Sequence, residues 1–341
     1  MRRREGYARA TRTAAVSVVA LLVLGACASE PQEDAGAERD RVRFLLGFVI
    51  QGVHAPWIVG QEKGFFEDEG IDLELVPGEA PSIALAGLAA GEGEFASVDL
   101  IGLALATKED PNLDVRYLAP TYARSPFAFY SLRSKGNVDE VADLEGRTVF
   151  APAHSIHSTI LPIWLREHGI EDVTFKEVDP ASRDQLLVAG EVPIVSAFVS
   201  NGPAMDEAAS KNGDELLEVE AADEGLSQMY ASGVAASGSW IDENPDLARR
   251  FLAAYVRSFA YAFDHPEETA DVMSENYPEI PRDNTIEQVR IMESLMTADG
   301  TVDELGALDP DTIEHTIAYV SDALGLQDVD PASLYLEGYG P

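Results

Sequence analysis

From residue 42 to residue 211 the chain alternates short runs of aliphatic, β-branched and aromatic residues with stretches of helical period. That alternation admits few architectures. Runs this short must pair into a sheet, and the helices between them must cover its faces, so the expected fold class is α/β, helices layered on sheets. The strand-like runs are 42–49, 71–76, 94–98, 114–119, 127–132, 148–151, 174–177 and 194–198. Helices fit 56–64, 82–90, 100–107, 157–168, 183–189 and 204–211. Pro or Ser opens several of them, and Gly64, Gly91, Gly169 and Gly190 stand just past their ends. After Tyr230 the pattern turns mainly helical. Asn244-Pro245 opens an amphipathic stretch to Asp264, His265-Pro266 another to Asn276, and further helices fit 283–296 and 310–324. No fixed-period repeat of the solenoid kind is present. A hydrophobic content of 46% over this length is enough for two lobes.

The beginning of the chain follows a different rule. Arg2, Arg3, Arg4, Arg9 and Arg12 precede an apolar stretch from Ala14 to Leu24, closed by Gly25 and Ala26, which is the three-part layout of a secretory leader. The apolar part falls short of the roughly 20 residues that a membrane-spanning helix needs. Leu24-Gly25-Ala26-Cys27 resembles the lipobox of bacterial lipoproteins, which implies cleavage before Cys27 and lipidation of its thiol. Cys27 is the only cysteine, so no internal disulfide can claim it. Two alternatives stand: ordinary cleavage after Ala28, since Ala26-Cys27-Ala28 is also small-x-small, and an intermolecular disulfide. Residues 28–40 hold no large apolar side chain and read as a tether.

The formal net charge is −36, and because the first 26 residues carry five Arg and one Glu, the rest is near −40. Such a surface repels nucleic acid and anionic lipid. Solubility, in a salty medium for instance, accounts for the acidity without any specific cationic partner.

Residues 54–99, HAPWIVGQEKGFFEDEGIDLELVPGEAPSIALAGLAAGEGEFASVD, resemble the first lobe of the substrate-binding proteins of ABC importers, in the branch shared by sulfonate- and nitrate-binding proteins and the thiamin-pyrimidine family. Asp143-Leu144-Glu145-Gly146-Arg147 resembles that family's turn into the first strand of lobe two. Residues 179–194 resemble its strand, helix and Gly-x-Val-Asp segment, with Pro193 in place of the usual Asp, and 244–268 its return helices. The resemblance implies a bilobal periplasmic-binding-protein-like fold of type II. Lobe one would be 42–125 with 228–341, lobe two 126–227, after a leader at 1–26 and a lipidated tether at 27–41. The chain would cross between lobes near 125–131 and 225–233, and a ligand would sit in the cleft.

Candidate ligand-binding residues follow from where strands end and helices begin. Gln51, His54 and Trp57 follow the first strand, although Trp57 could equally pack a helix on the sheet. Ser82 opens a helix, as ligand contact or as ordinary cap. Ser97 and Asp99 end the third strand, and Asp99 could simply cap the following helix. Tyr122, Arg124 and Ser125 lie at the first crossing, and Tyr230 at the second. His154, Ser155, His157 and Ser158 open a helix of lobe two, whose free amides suit an anion. His154-x-x-His157 hints at metal, but no carboxylate or cysteine stands at ligand spacing, so no metal is expected. Phe198 and Asn201 follow the last strand of lobe two, and Phe198 and Tyr230 could be plain core.

The resemblance implies capture of a small solute and delivery to a membrane permease with its ATPase, with no cofactor. Within the same family stands an intracellular pyrimidine synthase that needs a lysine for pyridoxal phosphate and a cysteine-rich iron motif; a leader and a single cysteine speak against it. A tethered sensory or accessory domain is the third reading. Aromatic and histidine candidates favour a flat heterocycle such as a pyrimidine or flavin. A sulfonate (taurine among them) or nitrate would instead use the helix N-termini with Ser82, Ser155, Ser158 and Arg124.

Overall fold

The computed structural model describes residues 39–153, 155–221, 226, 228–297 and 305–339. The leader, Cys27, the tether up to residue 38 and His154 lie outside the described residues. Two five-stranded sheets organise the rest. The first contains β1 (Asp40–Leu45), β2 (Ile71–Val76), β3 (Phe95–Asp99) and β4 (Val115–Pro120), interleaved with α1 (Ala55–Glu62), α2 (Phe65–Asp68), α3 (Pro81–Ala89) and α4 (Leu100–Glu109). The chain then crosses over residues 121–126. The second sheet contains β5 (Phe127–Leu132), β6 (Thr148–Pro152), β7 (Thr174–Val178), β8 (Ile194–Phe198) and β9 (Leu216–Glu220), with α5 (His157–Glu167), α6 (Arg183–Val188) and α7 (Gly202–Lys211) on its faces. After the return crossing, β10 (Ser232–Ser237) joins the first sheet. Helices α8 (Gly238–Glu243), α9 (Pro245–Asp264), α10 (Pro266–Asn276), α11 (Arg282–Met296) and α12 (Pro310–Leu324) complete the chain.

Strand order is β2-β1-β3-β10-β4 in one sheet and β7-β6-β8-β5-β9 in the other. Each sheet is parallel but for one antiparallel strand in fourth place, β10 or β5, and that strand is the one that has just arrived from the other sheet. The two crossings run side by side. Thr121 N–H donates to the Ser232 carbonyl (2.8 Å), Ser125 Oγ to the Ala221 carbonyl (2.9 Å), and Ala221 N–H to the Phe127 carbonyl (2.8 Å). A paired two-segment connection of this kind is a hinge.

The α/β, bilobal expectation is met, and three local readings change. Residues 46–49 leave β1 and form the loop that enters the cleft, so that strand is shorter than 42–49. The acidic LLEVE run of β9 is an additional strand. The stretch after Tyr230 begins with β10, not with helix. Its sequence, SGVAAS, is weak in β-formers because it lies buried between β3 and β4, where small residues are what fits; a Cβ on Gly233 would run into the Tyr117 ring. Among the described residues no helix is long and apolar enough to cross a membrane.

Candidate functional site

In open α/β sheets the carboxyl ends of the strands face the ligand crevice. Here the ends of β1, β3, β6 and β8 deliver the loop after Leu45, Ser97, Pro152 and Phe198 to one cleft between the sheets. The cleft's empty space is about 960 Å³, open solvent at its mouth included. Its lining is mostly apolar and aromatic: Phe44, Leu46, Phe48, Trp57, Tyr122, Phe198 and Met292 among others.

The lobe-one wall is built from satisfied parts. Trp57, on α1, stacks on Phe44 (4.4 Å between centroids) and Tyr255 (5.0 Å) and meets Phe259 edge-on (5.3 Å), so most of the indole belongs to the core while part lines the cleft. Both readings of Trp57 therefore hold in geometry. Gln51 N–H donates to His54 Nδ1 (3.0 Å), which leaves the proton of a neutral His54 on Nε2. Burial pushes the His54 pKa down to about 4, so the ring is neutral near pH 7. The turn holding both residues passes so close to α11 that a side chain on Gly52 would collide with Gln288. Gln288 in turn donates to the Ser200 carbonyl of the opposite lobe (2.8 Å).

The lobe-two wall is less complete. His157, the first residue of α5, is 3% exposed, stacks on Phe198 (5.1 Å) and meets Phe127 edge-on (4.9 Å). Its Nδ1 is buried with no hydrogen-bond partner. Burial and, second, the neighbouring Arg183 guanidinium push its pKa down to about 3. Phe198 also meets Tyr122 edge-on across the hinge (5.8 Å), and burial lifts the Tyr122 hydroxyl to about 12. Asn201 Oδ1 accepts from Phe198 N–H (3.2 Å) and holds the end of β8 in place.

Of the residues expected from sequence, Gln51, His54, Trp57, Ser97, Tyr122, His157, Phe198 and Asn201 line this cleft. The others are placed elsewhere, His154 aside, which lies outside the described residues. Asp99 caps α4, accepting from Gly102 N–H (2.5 Å), and burial raises its pKa to about 6. Ser82 is exposed in the first turn of α3, whose cap is Ala80. Ser155 Oγ donates to the Pro152 carbonyl (2.7 Å), and Ser158 is half-buried on α5 away from the lining. Arg124 and Ser125 line a separate acidic recess with Asp206, Glu218 and Glu220. Tyr230 is core: its ring stacks on Tyr117 (6.2 Å) and its hydroxyl accepts from Asp309 N–H (3.0 Å). Reading outward from strand ends did not find Arg183, Thr121, Ser200 or Ser232, which also line the cleft. The first of these could have been suspected as an arginine just after Asp179-Pro180, at the head of a lobe-two helix. Among the described residues no group of three or more His, Cys, Asp or Glu could hold a metal.

Two α/β lobes joined by a paired hinge, with an apolar cleft at their strand ends, define the bilobal periplasmic-binding-protein fold. The chain belongs to the NMT1/THI5-like family, whose model matches residues 51–269. It is similar to the riboflavin-binding protein RibY of Chloroflexus aurantiacus, 24% identical over 83% of this chain and 84% of that one. It is also similar to the formylaminopyrimidine-binding protein of Halalkalibacterium halodurans, 21% identical over 89% and 91% respectively. Among solved structures, the alkanesulfonate-binding protein SsuA of Xanthomonas axonopodis pv. citri superposes with a TM-score of 0.65 at 16% identity, over 85% of this chain and 95% of that one.

Proposed function

We propose that this chain is the solute-binding component of an ABC importer, not an enzyme, and that it closes its two lobes around a flat heterocycle of the flavin or pyrimidine class for delivery to a permease and its ATPase. The observation that carries the reading is the cleft itself: rings from both lobes and the hinge (Trp57, Tyr122, His157, Phe198) converge on one apolar space that, among the described residues, no carboxylate lines. The two similar curated proteins are named for binding a flavin and a pyrimidine. A neutral His54 with its proton on Nε2 suits a ring nitrogen or carbonyl as acceptor. Sulfonate or nitrate recognition would draw on helix N-termini with Ser82, Ser155 and Ser158, and none of those serines lines the cleft.

Placement outside the cytoplasm, on a lipid at Cys27 with 28–40 as tether, belongs to the same proposal. Its support is the leader sequence and its lone cysteine. A tether holds the binding protein at high effective concentration beside its permease. Intact-mass analysis of the mature N-terminus checks it: a diacylated Cys27 supports the anchor, whereas an unmodified chain starting at Ser29 removes it. For the ligand, a thermal-shift screen of flavins, pyrimidines, alkanesulfonates and nitrate is decisive, because a ligand at 100 times its dissociation constant adds about 2.7 kcal/mol. Heterocycles should raise the melting point; a response to alkanesulfonates alone would overturn the reading.

A further inference from the structure

The chain carries 60 Asp and Glu residues, yet among the described residues none lines the cleft, and Arg183 is the one charged side chain that does. It is only 5% exposed. Its Nε donates to Asp184 Oδ1 at 2.6 Å, and among the described residues no other hydrogen bond is made by the guanidinium. Asp184 itself is a third exposed, so water screens it. Arginine has five donors in a rigid fork, and one is used. The Nη donors thus remain for whatever occupies the cleft. His157 beside it adds a second unmet polar atom, its buried Nδ1. A buried cation left this incomplete costs stability unless a partner arrives.

We infer that the cleft takes a heterocycle bearing an anionic oxyacid group, a phosphate ester or a carboxylate, and that Arg183 is the residue that selects for that group. The inference rests on the heterocycle reading above and narrows it. A fork of N–H donors matches two oxygens of an oxyacid, and the surrounding apolar walls keep water from competing. The acidic surface would weaken general anion binding, so selection falls to this one buried contact.

Calorimetric titration of the full chain with matched pairs tests it: riboflavin against riboflavin 5′-phosphate, and hydroxymethylpyrimidine against its phosphate ester. The expected result is that a phosphorylated member binds about tenfold tighter or more than its neutral parent. R183Q should abolish the preference and R183K should keep part of it. D184N, which removes the competing carboxylate, should strengthen the phosphorylated member several-fold and gives a readout should R183Q fold poorly. Equal or tighter binding of the neutral parents, or an undiminished preference in R183Q, overturns the role of Arg183 and leaves the heterocycle reading intact. Failure of both pairs to bind the wild-type chain overturns both.

Discussion

The two walls of the cleft are built on opposite terms. On the lobe-one side the histidine acceptor and the large ring are spoken for, with the Nε2 proton of His54 left to meet a ligand: His54 Nδ1 is taken by the Gln51 amide, and Trp57 is locked in a block with Phe44, Tyr255 and Phe259. On the lobe-two side they are not: His157 Nδ1 is buried without a partner, and the Arg183 guanidinium has only Asp184. A satisfied wall is rigid before ligand arrives, while a wall with unmet donors and acceptors gains most when the lobes close on something polar. The difference teaches which half of the site stabilises the fold and which half is left for recognition.

The largest effect that could break this comparison is on Trp57. If it is chiefly core, Trp57→Ala should cost about 3–5 kcal/mol in denaturant unfolding, the range for removing a buried aromatic ring. The corresponding lobe-two change, Phe198→Ala, should cost clearly less, because Phe198 is only half-buried. Equal losses at the two positions would dissolve the distinction between a structural and a recognition wall.

How much of this was readable beforehand depended on whether a residue's role is local. Strands 127–132 and 194–198 and the helix to Asp264 were legible because their apolar period is a property of the segment itself. β10 was not, since its small residues are explained only by its two neighbours in the sheet. In the site, His54 and Phe198 were found by their position after strands. Of the two readings of Tyr230, ligand contact at a crossing or plain core, the ring takes the second, because it faces Tyr117 and the start of α12. Arg183 escaped because its place at a helix head after Asp179-Pro180 says nothing of burial; the fold shows that it is buried and faces a cleft that no described acidic side chain lines.

A smaller effect separates the two histidines. His54→Phe removes the acceptor for the Gln51 amide and should cost about 1–3 kcal/mol. His157→Phe retains a ring against Phe198 and deletes the orphan nitrogen, so the unliganded protein should be unchanged or more stable by up to about 1 kcal/mol, while ligand affinity falls. Acid should sharpen the contrast. Both histidines are held below the ordinary 6.5, so between pH 6.5 and about 4 the unfolded chain binds protons that the folded chain refuses, and stability falls as pH drops. Asp99 works in the opposite sense: held up to about 6, it keeps its proton in the folded state where the unfolded carboxyl has lost it, and favours folding as pH falls from 6 toward 3.8. Between pH 6 and 5 the three together leave a slope of about one proton, roughly 1.4 kcal/mol per pH unit. Urea midpoints of His157→Phe over that range should show their share of the slope abolished; an unchanged slope would mean that His157 is not held neutral by its burial.

The smallest effect concerns the seam that brings the walls together. Asn284 Nδ2 on α11 donates to Glu207 Oε2 on α7 (2.7 Å), a partly exposed contact between the lobes beside the buried bond from Gln288 to the Ser200 carbonyl. Asn284→Ala should therefore cost about 1 kcal/mol or less in unfolding. Its effect should be larger on the closed state than on either lobe, because both partners sit on rigid helices that move apart when the hinge opens. Ligand dissociation followed by stopped flow would detect this as a faster off-rate with an association rate little changed. A loss of stability without any change in off-rate would assign the contact to static packing between the lobes instead of to closure.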